Sequence, residues 1–292
     1  MTEHTLWLAG ITLLAAVVNG ALGYGFSSIT VPLALLFMVN RVLNPALVLI
    51  EVALNAYVLW VNRDALANVW RRVVPMVIGL APGVILGTLI VSRVSPAWLK
   101  LWTYIVLLPL ILLQAAGYRR PIRAERAIGL PFGFGIGILY SVTTISGPPL
   151  AVMLNNQGLA KREFRAALGF IRLAESGFTA IAYLTAGLFT TASIRLIPQI
   201  LPSVLIGVPI GARLIRAMPA ETFRRFCMSF DAWVVGFGVS TVLQDVHIVD
   251  GYAAYLFLLG VILIDGWLLY RFFAAGARFD MASTPSAERT SG

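Results

Sequence analysis

Between Thr5 and Phe273 the chain is a succession of apolar runs separated by short basic connections, and most of the runs are long enough to cross a ~30 Å hydrocarbon core. The runs are Thr5–Val39, Pro45–Trp60, Val73–Val91, Ala97–Ala116, Ala127–Leu154, Ala166–Gly187, Ile197–Ala212, Phe226–Leu243 and Tyr252–Phe273. Backbone groups in lipid must pair within their own segment, so the expectation is an all-α polytopic membrane protein. Composition agrees. Apolar residues make up 59% and charged residues 12%, where a soluble domain carries about a quarter charged residues. No stretch between the runs could hold a separate soluble core. One transmembrane domain is expected over 1–274, followed by a polar, disordered tail over 275–292. No Lys or Arg precedes the first run, so it is read as part of the mature protein and not as a secretory signal.

Two runs cannot be single straight helices. Thr5–Val39 would be about 50 Å long and contains Gly20, Gly23, Gly25, Ser27, Ser28 and Pro32. Ala127–Leu154 contains Gly133, Gly135, Gly137, Thr143, Thr144, Ser146, Gly147, Pro148 and Pro149. Glycine loosens a helix and proline removes a donor, so each run should break near its middle. Charge placement tests this. With unbroken runs, alternate loops carry 8 and 13 basic residues, and Arg172 is left inside a span. With each run folded into a hairpin of two short helices, one side receives seventeen Lys and Arg in its loops, Arg224 and Arg225 among them, and the other only Arg41, Arg93, Lys100 and Arg195. That asymmetry marks the basic side as cytoplasmic. It puts the N-terminus outside and the C-terminus inside. The net charge of +9 is thereby explained without nucleic acid, for which no aromatic-basic stripe is present.

The two halves match in order. Gly20 and Pro32 pair with Gly137 and Pro149, Ala46–Ala56 with Ala167–Gly177, and Pro82–Ile90 with Ile206–Leu214. Each half is then a broken hairpin plus three helices, over about 5–116 and 127–243, with an extra helix over 252–273. Five segments per half make the second half run in the opposite sense. Inverted repeats with interrupted helices are a mark of secondary transporters, with the site at the repeat interface. Helix packing through small residues is the competing explanation of the glycine matches.

GALGYGFSSITVPL in the first half, with SVTTISGPPLAVMLNNQG and KREFRAAL in the second, resembles the sulfite exporter TauE/SafE family over about residues 7–270. The resemblance implies a prokaryotic inner-membrane carrier for sulfite, sulfonates or related small organic anions. Members often have consecutive glycines where this chain has Phe26-Ser27-Ser28, and this chain has Thr144-Ile145-Ser146 before a single Gly147.

A helix that restarts after a break exposes N–H groups without intrahelical partners, and its positive dipole end attracts anions. The candidate substrate-binding residues are therefore Gly23, Gly25, Ser27, Ser28, Thr143, Thr144, Ser146 and Gly147, together with Arg172, whose guanidinium can grip an oxyanion in bidentate fashion. The competing role for the hydroxyls is to cap freed backbone groups. Charges within spans are rare and usually functional or paired, so Glu51 and Glu175 are candidates for coupling or gating, joined by Asn55, whose repeat equivalent is Ser176 and which could line the same cavity. Arg172 can pair with Glu51, its repeat equivalent, or with Glu175 one turn away. Asp231 is expected near the basic interface, and Asp265 is expected to pair with a neighbouring helix.

The partners expected are a small anion, the lipid bilayer and a coupling proton or cation. No cofactor is expected. The single Cys227 and the separated His4 and His247 build no metal cluster. No G-x-x-x-x-G-K-[ST] motif occurs. An intramembrane enzyme would need a nucleophile with a base, or a metal, and the reading is of a non-enzyme. An anion channel is the alternative function. The topology is testable: a reporter active only in the cytoplasm should work when fused after Gly292 and stay silent when fused ahead of Met1. The reverse pattern would refute the hairpin arrangement.

Overall fold

The computed structural model describes residues 3–115, 125–155, 159–214, 220–249 and 251–283. The loop residues Arg119, Arg120, Arg123 and Arg216, and the end of the tail with Arg289, lie outside these. Eleven α-helices occur among the described residues: α1 Glu3–Leu22, α2 Phe26–Ala34, α3 Asn40–Val61, α4 Leu66–Arg93, α5 Pro96–Ala115, α6 Glu125–Thr143, α7 Gly147–Asn155, α8 Lys161–Thr185, α9 Thr191–Leu214, α10 Ala220–Asp245 and α11 Tyr255–Ser283. The described residues hold no strand. Among the described residues, six helical segments are long and apolar enough to span a bilayer. The last helix continues to Ser283, past residue 275, where the sequence suggested a polar tail would begin.

Both long apolar runs break where glycine, serine and threonine cluster. Gly23 and Gly25 adopt φ of 84° and 104°, a left-handed backbone that glycine tolerates without strain. In the second half Thr144 takes φ 57°, uncommon for a β-branched residue. The helices that restart, α2 and α7, have nine residues each. That is about 14 Å, too short to cross the core.

Packing reveals the inverted repeat. Helix α1 lies on α9 as α6 lies on α4. Helix α3 contacts α9 as α8 contacts α4, and α2 contacts α10 as α7 contacts α5. The pairs α3–α8 and α5–α10 are their own images, and α11 packs outside against α10. The matched glycines belong to this packing. A Cβ at Gly20, Gly207 or Gly211 would collide with the facing helix of the α1–α9 pair, and one at Gly83, Gly87 or Gly137 with that of the α4–α6 pair. Small residues let backbones approach closely where lipid offers no hydrophobic drive for association. The glycine correspondence between halves is thus one packing solution used twice.

Two arginines are structural. Arg41, on the sparsely charged side, donates from Nε to the Val91 carbonyl and from Nη2 to those of Ser92 and Val94, each at 2.9 Å. It thereby caps the end of α4. Arg225, grouped with the loop residues by sequence, is instead buried in α10, where Nη2 meets Asp265 Oδ1 of α11 at 3.2 Å. Asp265 pairs with a neighbouring helix as expected, whereas Asp231 is 1% exposed and not at an interface with solvent.

Replacing Gly211 by Leu should lower the thermal stability of the detergent-solubilised protein by at least the 1–3 kcal/mol (roughly) of an overpacked core. Gly135→Ala, where nothing lies within 4 Å of the new Cβ, should change it by no more than about 0.5 kcal/mol. Equal effects would mean that α1 and α9 do not meet through Gly211.

Candidate functional site: a charged centre between the repeats

The repeat-related helices α3 and α8 cross at a polar cluster. Glu51 of α3 is fully buried and Arg172 of α8 is 3% exposed. Arg172 Nη2 donates to Glu51 Oε1 at 2.8 Å. The same oxygen accepts from Ser27 Oγ at 2.6 Å, and Glu51 Oε2 accepts from Tyr140 Oη at 2.7 Å. On the other flank Glu175 Oε1 accepts a hydrogen bond from Ser146 Oγ and lies 3.7 Å from Arg172 Nε. Asn55 Nδ2 and Ser176 Oγ both donate to the Arg172 carbonyl, at 3.3 and 2.7 Å. These two are also repeat equivalents.

The geometry follows from where the helices break. Ser27 lies in the first turn of α2, and Gly25 caps α2 without a side-chain hydrogen bond. Ser146 immediately precedes α7, and its carbonyl accepts the first helical bond, from Leu150 N at 3.1 Å. Through Ser27 the start of α2 is held level with the middle of α3. Through Ser146 the start of α7 is held level with Glu175, well inside α8. The two breaks also touch: a Cβ at Gly147 would lie 3.1 Å from Tyr24 Cδ2. Two positive helix ends, three hydroxyl donors and one guanidinium therefore converge on two carboxyl groups. Dipole, hydroxyls and cation all favour oxyanions there.

The predicted residues divide into three groups. Ser27, Ser146, Arg172, Glu51, Asn55 and Glu175 come together in the cluster. Gly23 and Gly25 shape the first break, and Gly147 makes room for Tyr24. Ser28 is buried on α2, with no role in the cluster's hydrogen bonds. Thr143 and Thr144 do local work. Thr143 Oγ1 bonds the Leu139 carbonyl at 2.7 Å and accepts from Ile145 N at 3.0 Å, and Thr144 Oγ1 bonds the Thr143 carbonyl at 2.7 Å. For these two the capping role describes what their hydroxyls do. Both alternatives for Arg172 occur at once, since it faces Glu51 and Glu175 together.

Sequence reasoning missed Tyr140, a polar aromatic among the glycines of α6. It also missed Asn44 and Tyr183, which donate to the carbonyls of Val142 and Ser141 where α6 ends. A tyrosine hydroxyl or a carboxamide inside an apolar run was the available signal, because buried polar groups need partners. Apolar clefts elsewhere, such as the one between α1, α2 and α10 that holds Trp7, Leu14 and Phe230, contribute nothing polar to the centre.

Inverted halves, broken helices and a buried charged centre between them are the architecture of a secondary transporter. A family model for sulfite exporter TauE/SafE matches residues 8–237, and the chain belongs to that family, a multi-pass membrane transporter family. Neither a curated protein nor a solved structure gives a significant match.

Tyr140→Phe removes one of the three donors to Glu51 and leaves a buried carboxylate oxygen without a partner. It should destabilise the solubilised protein by about 1–3 kcal/mol, read by thermal denaturation. An unchanged transition would show that Tyr140 does not hold Glu51.

Proposed function

We propose that this chain is a secondary transporter that exports small sulfur-containing or organic anions such as sulfite or a sulfonate across the inner membrane, and that it binds them at the starts of α2 and α7 beside Arg172. The observation carrying this reading is that the cluster already holds oxyanions. The carboxylates of Glu51 and Glu175 occupy the places that a substrate oxyanion would take, each on a serine hydroxyl at a helix start and both facing one guanidinium. A sulfonate or sulfite presents the same kind of oxygen acceptors to the same donors. Ser28 and the N–H groups of the first turns complete the proposed cradle, with Gly23, Gly25, Thr143, Thr144 and Gly147 setting its backbone shape.

Glu51, Asn55 and Glu175 gate the site in this reading. A carboxylate must leave its serine before a substrate can replace it, and Asn55 ties α3 to the backbone of α8. Burial of every charged member of the cluster fits a carrier that closes over its cargo better than an open anion channel. The basic connections face the cytoplasm, with the N-terminus outside. Exposed Trp60 and Trp70, with Arg63 and Arg71 set over their rings at 5.5 and 5.6 Å, suit a membrane–water interface on that side.

Purified protein in liposomes should exchange external labelled sulfite or methanesulfonate for internal anion without carrying net electrical current of channel size. Arg172→Ala should insert normally yet lose at least about 95% of this exchange, since a bidentate cationic contact has no substitute in the cluster. Near-normal exchange by that variant would remove Arg172 from the site. Absence of exchange by folded wild-type protein for sulfite, sulfonates and small carboxylates alike would sink the transporter reading.

A further inference from the structure

The charged centre is unbalanced: one guanidinium faces two carboxyl groups, and the two are held differently. Glu51 has donors on both oxygens, from Arg172, Ser27 and Tyr140, as an ionised carboxylate requires. Glu175 has Ser146 on Oε1 alone, with Arg172 Nε at 3.7 Å from that same oxygen. Its Oε2 is buried and has no hydrogen-bond partner, and neither has Arg172 Nε. Thr179 Oγ1, one turn further along the same face of α8, is likewise buried without a partner. An ionised oxygen in such a place carries a large desolvation cost, whereas a carboxylic acid leaves only a neutral O–H there.

Among the described residues Arg172 is the cation that faces Glu175, and the Ser146 hydroxyl is its one hydrogen-bond donor. Helix α3 contributes Glu51 and α6 contributes Tyr140. Ser146, the residue before α7, does not titrate, and α4 has no charged group among its buried residues. With both glutamates ionised and Arg172 charged, the centre carries one net negative charge. A monovalent anion entering a dry site would double it, and like charges at short range strongly oppose one another there. One proton restores the original charge.

We propose that Glu175 is the proton-binding site of the carrier, protonated whenever an anion occupies the centre, so that one proton crosses with each monovalent anion. Glu51 keeps its hydrogen bonds from Arg172, Ser27 and Tyr140. This proposal rests on the anion-transporter reading above. By linkage, anion affinity should fall about tenfold per pH unit once the pH exceeds the titration of Glu175.

The test uses methanesulfonate, which does not titrate in the working range. At a pH above the titration of Glu175, wild-type protein in weakly buffered detergent should take up about one proton per methanesulfonate bound, and a pH gradient across proteoliposomes should drive its accumulation. Glu175→Gln should lose gradient-driven accumulation and bind methanesulfonate with affinity independent of pH. The infrared carbonyl band of a protonated carboxyl should be present in methanesulfonate-bound wild-type protein, absent from Glu175→Gln and retained in Glu51→Gln. Exchange without proton uptake, or coupling that survives in Glu175→Gln but disappears in Asp231→Asn, would overturn the assignment while leaving the transporter reading intact. If no anion exchanges and no carboxyl band disappears with Glu175, both fail.

Discussion

A break in a membrane helix frees backbone N–H and C=O groups that lipid cannot satisfy, so it survives only where protein surrounds it. This chain has two breaks, and much of its architecture serves to enclose them. The α6 carbonyls freed at the second break are met by Asn44 from α3 and Tyr183 from α8. The starts of α2 and α7 are met by carboxylates reaching from the same two helices. Enclosing both breaks from one pair of crossing helices requires α3 and α8 to lie at the interface of the halves, flanked by the close glycine-mediated pairs α1–α9 and α4–α6.

That enclosure accounts for the chemistry of the centre. Charges are tolerated within the spans because Arg172 and Glu51 neutralise one another at 2.8 Å. The serines bring additional donors to the same carboxyl groups. In this chain Ser27 and Ser146 sit in the blocks where its pattern departs from the glycine-rich form of the family, and they are the hydroxyls that engage Glu51 and Glu175. A buried ion pair gives little net stability, because desolvation offsets the attraction. In the proposed transport reading, its presence at the interface of the two halves suits a switchable contact better than a structural one.

Periodicity and composition made the helices legible, since a long apolar run leaves the backbone no partner but itself. The breaks were legible too, because Gly23, Gly25 and the Gly147-Pro148-Pro149 block cannot continue a regular helix undisturbed. The pairing of Glu51 with Arg172 was available as one of two alternatives, through their equivalence in the repeat. Less could be read of the hydroxyls. Thr143 and Thr144 resemble Ser27 and Ser146 in type and position, and only backbone direction separates a hydroxyl that caps its own chain from one that reaches a carboxylate 24 or 29 residues away. Arg225 was misplaced because a basic residue close to a loop looks the same whether it faces water or an aspartate on the next helix.

By itself, then, the sequence determined that the chain is helical, repeated, inverted and interrupted at two places, because these follow from local rules of hydrogen bonding in lipid and from residue order. The tertiary structure alone decided that the interruptions meet a shared guanidinium, that Tyr140 completes the shell of Glu51, and that Glu175 keeps one oxygen without a donor. Those features depend on which side chains cross between helices far apart in the chain, and distances between such groups are set by packing, to which sequence spacing is blind.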